Sequence, residues 1–209
     1  MLNRQIIAAG KVSLIALLLF FGPVSCVFFE ACPDIKPYFS IHGLRIYNLR
    51  YTGQGPNPWE AVGESEPVEW DDFFMRVGFE KSYHAGVESS GGSRLYALTC
   101  DQSGSSGARV GVDTLYLVTL TDYNDNYVQG DTLNSILLTN DWTSYPDDFS
   151  TFRPLELYME ENRISIQQDA FELKLTEPPS TAGVYRFKLV YALNNGDFFE
   201  AASKSVKLY

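Results

Sequence analysis

Apolar residues recur at every second position along much of this chain, the spacing of strands with one covered face. Phe39 and Ile41 share one phase, Leu44 and Ile46 the other, so Gly43 marks a bulge between them. Phe73, Met75, Val77 and Phe79 line one face of a second strand, with Asp72 and Arg76 opposite. Leu95 to Cys100 is a short strand, and Leu115 to Leu120 is apolar on both faces, as in a central strand covered on each side. Phe171, Leu173 and Leu175 alternate with Glu172 and Lys174, which predicts a strand with one wet face, ended by Pro178 and Pro179. Tyr185, Phe187, Leu189, Tyr191 and Leu193 alternate without a break up to Asn194–Asp197, a hairpin turn of residues that tolerate positive φ. The return strand begins with Phe199 and Ala201 inward and ends with Val206 and Leu208 inward, a change of parity that demands a bulge near Ser203.

Between these runs lie breakers. Thr52 to Pro67 holds Gly53, Gly55, Pro56, Pro58, Gly63 and Pro67, and reads as a long loop carrying Trp59. Ser82–Ser93, Asp101–Gly111 and Pro146–Pro154 read as irregular connections, and Asp122–Asp131 as a turn. Leu133, Ile136 and Leu137 fit a single helical turn. Seven to eight short strands, broad loops and almost no helix predict an all-β fold, an antiparallel β-sandwich. Thr181 to Phe187 resembles the immunoglobulin-type corner, in which a tyrosine, here Tyr185, caps a loop backbone with its hydroxyl. Phe187 stands where those domains place a core cysteine, so the expected sandwich is immunoglobulin-like without the inter-sheet disulfide.

The first 26 residues follow another pattern. Behind the basic Arg4 and Lys11, Val12 to Val24 is uncharged and apolar, closed by Ser25 and Cys26. That is the layout of an export signal ending at a lipid-modified cysteine. It predicts a signal peptide over 1–25, acylation of Cys26, a short tether over 26–37 and a β-sandwich domain over 38–209. Two alternatives stay open: a retained membrane anchor, since Val12–Phe29 carries no charge, and cleavage without acylation.

The formal net charge of −10 falls to about −12 once Arg4 and Lys11 are removed. So acidic a body repels phosphate backbones and anionic headgroups, which disfavours nucleic acid and leaves membrane attachment to the lipid. The three cysteines are Cys26, Cys32 and Cys100. With Cys26 acylated, the even remainder predicts a Cys32–Cys100 disulfide, worth roughly 4 kcal/mol in the chain-entropy model, against two separate buried thiols.

Catalytic constellations are thin. The two histidines, His42 and His84, lie in no metal-ligand spacing, and there is no nucleophile elbow or phosphate-binding glycine loop. The carboxylate pairs Asp71–Asp72 and Asp147–Asp148 are neighbours in sequence, and neighbours on a strand point to opposite faces. Asp122, Asn124 and Asn126 match the first half of a calcium loop, but Tyr127 stands where the turn needs glycine and Leu133 where it needs glutamate. A plain polar turn is expected there, with a weak calcium site as the alternative, and no other metal or cofactor is expected. Trp59, Trp142 and Tyr145, flanked by Asp141 and Asp147, form an aromatic candidate, since aromatic faces stack on sugar rings and carboxylates accept hydroxyl hydrogen bonds. Rings closing the ends of the sandwich would look the same.

The anchor, the mature length, the Tyr127–Leu133 segment with Gly130 and Asp131, and the closing hairpin together resemble small lipoproteins of Bacteroidetes with an immunoglobulin-like sandwich, a family defined only as a domain of unknown function. The resemblance implies an outer-membrane lipoprotein and a fold, with no activity attached. In that group an acidic run after the acylated cysteine accompanies surface export. Here Val27, Phe28, Phe29 and a single Glu30 follow, so periplasmic and surface-facing positions both stay open. The expected function is a lipid-anchored, non-enzymatic binding or structural module whose partner is an envelope protein or a glycan. The alternative is a glycan-binding accessory lipoprotein, with hydrolase and filament subunit as lesser classes.

Overall fold

The structure, a computed structural model, describes residues 36–53, 58–64, 66–84, 103–140 and 151–209. The predicted signal peptide, Cys26, Cys32, Cys100, the Leu95–Cys100 strand, Trp142, Tyr145, Asp147 and Asp148 lie outside the described residues.

The alternating runs become strands in three sheets, and the fold is an all-β sandwich. Strands β1 (Tyr38–Tyr51), β2 (Trp59–Ala61), β4 (Phe73–His84), β6 (Leu137–Asn140), β7 (Arg153–Pro154) and β8 (Ala170–Leu175) form a six-stranded antiparallel sheet in the order β2-β1-β4-β8-β6-β7. A second sheet, β11 (Phe198–Ala202), β10 (Phe187–Leu193) and β5 (Val112–Thr119), covers its inner face. A third, β3 (Pro67–Val68), β12 (Val206–Leu208) and β9 (Gly183–Tyr185), carries the only parallel pairing among the described strands, β3 with β12.

The core lies between the first two sheets. Met75, Val77, Phe171 and Leu173 have no exposed surface and meet Leu189 and Tyr191, equally buried, from β10. Phe79 and Phe171 both reach the Tyr191 ring, at 5.6 and 6.0 Å. Phe187, in the position of the missing cysteine, stacks on Phe73 at 6.2 Å and fills the space that a disulfide would bridge. The expected corner forms, with the Tyr185 hydroxyl donating to the Thr181 carbonyl at 2.6 Å.

The phase shift at Gly43 is a bulge between Ile41 and Gly43. A Cβ on Gly43 would sit 2.5 Å from Glu80 Oε2, so a larger residue there would have to push that carboxylate aside. The hairpin turn places Gly196 at φ +92 between β10 and β11. A 3-10 turn at Asn134–Ile136 is the predicted helical turn.

Five expectations need correction. The Thr52–Pro67 segment is not loop throughout, because Trp59–Ala61 hydrogen-bonds to the edge of β1, and the Pro58 carbonyl accepts the Thr52 N–H just beyond that pairing. Near Ser203 there is a change of sheet in place of a bulge. Ser203 accepts the Phe187 N–H on its Oγ and donates its own N–H to the Phe187 carbonyl, which ends β11 and frees the next residues to join β12. The Tyr185–Leu193 run is likewise split at Arg186 between β9 and β10, so the described strands number twelve, several of them two or three residues long. β5 is the outer strand of its sheet, not the central one. Its outward edge is closed by the segment after it: Asn134 accepts the Leu117 N–H and donates to the Leu115 carbonyl, and Thr119 bonds to Asp131 and Gly130. Finally, an unpredicted helix, α1 (Leu155–Glu161), packs Leu155 and Tyr158 inward.

Candidate functional site

The outer face of the six-stranded sheet was expected to be wet, and at its centre it is not. Register places Tyr47, Arg76, Glu172 and Asn140 side by side on four consecutive strands. Glu172 has no exposed side-chain surface. Its position in β8, between β4 and β6, removes it from water, and Arg76 answers the charge: Nε and Nη2 both donate to Oε1, at 3.1 and 2.7 Å. Burial pushes the Glu172 carboxyl above the ordinary carboxylate range, and Arg76 draws it only part of the way back. The second oxygen, Oε2, and the Asn140 Oδ1 are buried without a hydrogen-bond partner among the described residues.

Aromatic rings border this row. Trp59, 7% exposed, packs edge-on against Phe74 at 4.9 Å and tilts against Tyr51 at 5.2 Å. Phe152 completes the cluster at 5.7 Å from Phe74. The Arg76 guanidinium lies 5.8 Å from the Trp59 ring centre, and Lys174 sits over Phe74 at 5.0 Å while pairing with Asp71 at 3.0 Å. Trp59 is therefore a packed ring in a strand, not the open stacking platform that a loop position implied. Its Nε1–H is buried without an acceptor among the described residues. The segment that carries Trp142 and Tyr145 follows Asn140 and precedes Phe152, both of which belong to this face.

The remaining candidates separate. Asp71 and Asp72 lie in a 3-10 turn, and Asp71 is taken by Lys174. His42 is exposed on the β1 bulge, whereas His84 stacks on Tyr38 at 6.2 Å near the far end of β4. In the Asp122–Asp131 turn, the oxygens of the half-matched calcium loop hold the turn itself: Asp122 accepts the Gln129 N–H, Asn124 that of Asn126, and Asp131 that of Val128. Among the described residues, no group of three or more His, Cys, Asp or Glu side chains could hold a metal ion. None of the described helices is long and apolar enough to cross a membrane.

Sequence reasoning missed the Arg76–Glu172 pair as a unit. The signal was there in part, since each residue is a charge set between hydrophobic neighbours on a strand whose other face is core. What alternation does not state is which strands are neighbours.

No protein-family model and no curated protein matches the sequence. Similar solved structures include the C-terminal domain of the Streptococcus pyogenes antigen I/II-family protein AspA, 10% identical over 81% of this chain and 47% of that one, with a TM-score of 0.26. The C-terminal domain of the Streptococcus agalactiae AgI/II polypeptide BspA is 9% identical over 79% of this chain and 49% of its own, with a TM-score of 0.27. This chain spans about half the length of either structure. At these scores the likeness carries nothing about function.

Proposed function

We propose that this chain is a lipid-anchored, non-enzymatic module of the cell envelope, an outer-membrane lipoprotein that works by contact with an envelope protein or glycan. The observation that carries the reading is how the described domain uses its charges. Arg50 with Glu60 and Glu66, Arg76 with Glu172, Lys81 with Asp169, Arg153 with Glu161 and Lys188 with Glu200 each tie two chain segments together. Acids and bases held this way brace a scaffold, whereas acid–base catalysis needs them to converge on a substrate. The anchor rests on the Val12–Cys26 pattern, and the Cys32–Cys100 disulfide belongs to the same export reading.

Labelled palmitate fed to cells is the test. Label on the full chain that vanishes in Cys26→Ser, with the variant moving to the soluble fraction, is the expected result. An unlabelled wild-type protein ends the proposal.

The second reading, a glycan-binding accessory lipoprotein, is favoured by one observation: the segment containing Trp142 and Tyr145 is flanked by residues of the face that holds Trp59, Tyr51, Phe74 and Phe152. Loss of glycan-array binding in Trp142→Ala would support it.

A further inference from the structure

The outer face continues beyond Arg76 into an open cleft of about 410 Å³, lined by His42, Arg45, Tyr47, Gly78, Glu80 and Lys81. Its floor is low for a reason visible in the register. Gly78 on β4 pairs with Arg45 on one side and Ala170 on the other, so two neighbouring positions on the same face carry almost no side chain. The bulge at Gly43 brings Glu80 up against β1 and sets the exposed His42 at the rim. Tyr47, 48% exposed, leans over the glycine, its Cε2 lying 3.6 Å from where a Gly78 Cβ would be.

The lining has a definite chemical character. Arg45 Nε donates to Glu80 Oε1 and the guanidinium also interacts with the Tyr47 side chain, while its remaining donors and the second carboxylate oxygen keep capacity for other partners. Both side chains are partly open to solvent, at 66% and 35%. An apolar ligand would strip these groups of water without replacing their hydrogen bonds. Of the two cations in the lining, Lys81 is paired with Asp169 and Arg45 with Glu80, so a phosphate would face the Glu80 carboxylate on a chain of net charge −10. A neutral ring with hydroxyls around its edge and C–H bonds on its face meets every feature: its face against Tyr47, its hydroxyls donating to Glu80 and accepting from Arg45. The cleft falls toward the lower end of the roughly 300–1,000 Å³ usual for small-molecule sites, enough for one or two sugar rings.

We infer that this cleft is a saccharide subsite, with Tyr47 as the stacking platform and Arg45 and Glu80 as the hydroxyl partners. The inference rests on the glycan-contact reading and moves its platform from the packed Trp59 to an exposed tyrosine.

The test is an array of neutral and anionic glycans probed with the full chain in detergent, followed by calorimetric titration of the best neutral hit. Binding to at least one neutral glycan is expected, at least tenfold weaker in Tyr47→Ala and in Arg45→Ala, and unchanged in Tyr209→Ala, whose ring is exposed outside the cleft. Thermal unfolding at the wild-type temperature establishes that the variants are folded, and Arg45 is exposed enough to be replaced without disturbing the core. Binding that Tyr47→Ala and Arg45→Ala both retain but Trp142→Ala loses overturns this subsite while leaving the glycan reading intact. An array with no neutral hit overturns both, and leaves palmitate labelling of Cys26 as an independent result.

Discussion

The two faces of the six-stranded sheet are built from the same strands and solve burial in opposite ways. On the inner face Met75, Val77, Phe171 and Leu173 meet another sheet, and the contact is hydrocarbon on hydrocarbon. On the outer face Phe74, Arg76, Glu172 and Lys174 alternate with those residues, and charge lies beneath and beside aromatic rings. The inner face draws stability from area removed from water, about 25 cal/mol per Å² of apolar surface. The outer face must first offset the cost of withdrawing a carboxylate, and Arg76 is what offsets it. Alternation in sequence therefore assigns residues to faces, but does not say which face is dry.

The largest effect should come from breaking the inner face. Phe171 has no exposed surface and contacts the rings of Phe79, Tyr158 and Tyr191. Phe171→Ala is expected to cost about 4 kcal/mol, read as a lower urea midpoint with an unchanged slope.

Next comes the outer pair. Glu172→Ala removes one charged partner of Arg76 and is expected to cost about 3 kcal/mol, the lower end for a broken buried pair because Arg76 keeps 23% exposure. The double variant Arg76→Met with Glu172→Leu should lose less than the single one. A double variant less stable than Glu172→Ala would mean that the charges contribute net stability, making the faces alike in strength if not in chemistry.

A smaller effect tests the corner that joins the sheets. Tyr185→Phe removes the hydroxyl bonded to Thr181 and should cost about 1 kcal/mol, measured as a fall in melting temperature without change in far-ultraviolet dichroism.

The smallest is a matter of pH. The folded protein holds the Glu172 proton more tightly than the unfolded chain does, since burial raises its carboxyl above the ordinary carboxylate value near 4.5. The stability linked to that proton is complete below 4.5 and is lost as pH rises through the raised value. Wild type should therefore gain on Glu172→Gln as pH falls from 7 toward 4.5, in paired melting curves. A gap that moves the other way would place the carboxyl below its ordinary range.

Much of the fold was legible because its strands bury one face against a sheet of the same kind. The Phe73–Phe79 alternation, the Gly43 bulge, the Asn194–Asp197 turn and the Tyr185 corner all depend on contacts within a few residues or on a two-residue period. What escaped depends on pairing across long distances. β2 forms among prolines because β1 offers an unpaired edge, and Ser203 switches sheets because Phe187 lies across from it. Glu172 loses water because β4 and β6 flank it. Of the site residues, Trp59 was rightly singled out for its ring and misplaced as to its exposure. Tyr47 was passed over: its setting beside Gly78 arises only when β1 and β4 pair.

Asn134 has a consequence for how many copies of this domain can be packed together. With the Asn134 carboxamide and the backbone of Gly130, Asp131 and Leu133 bonded along it, β5 offers little docking line to an extended chain, and the sheet is not set to lengthen there by recruiting a second molecule. Neighbouring copies therefore stay separate along this border, and Asn134→Leu would remove two of the hydrogen bonds that cover it.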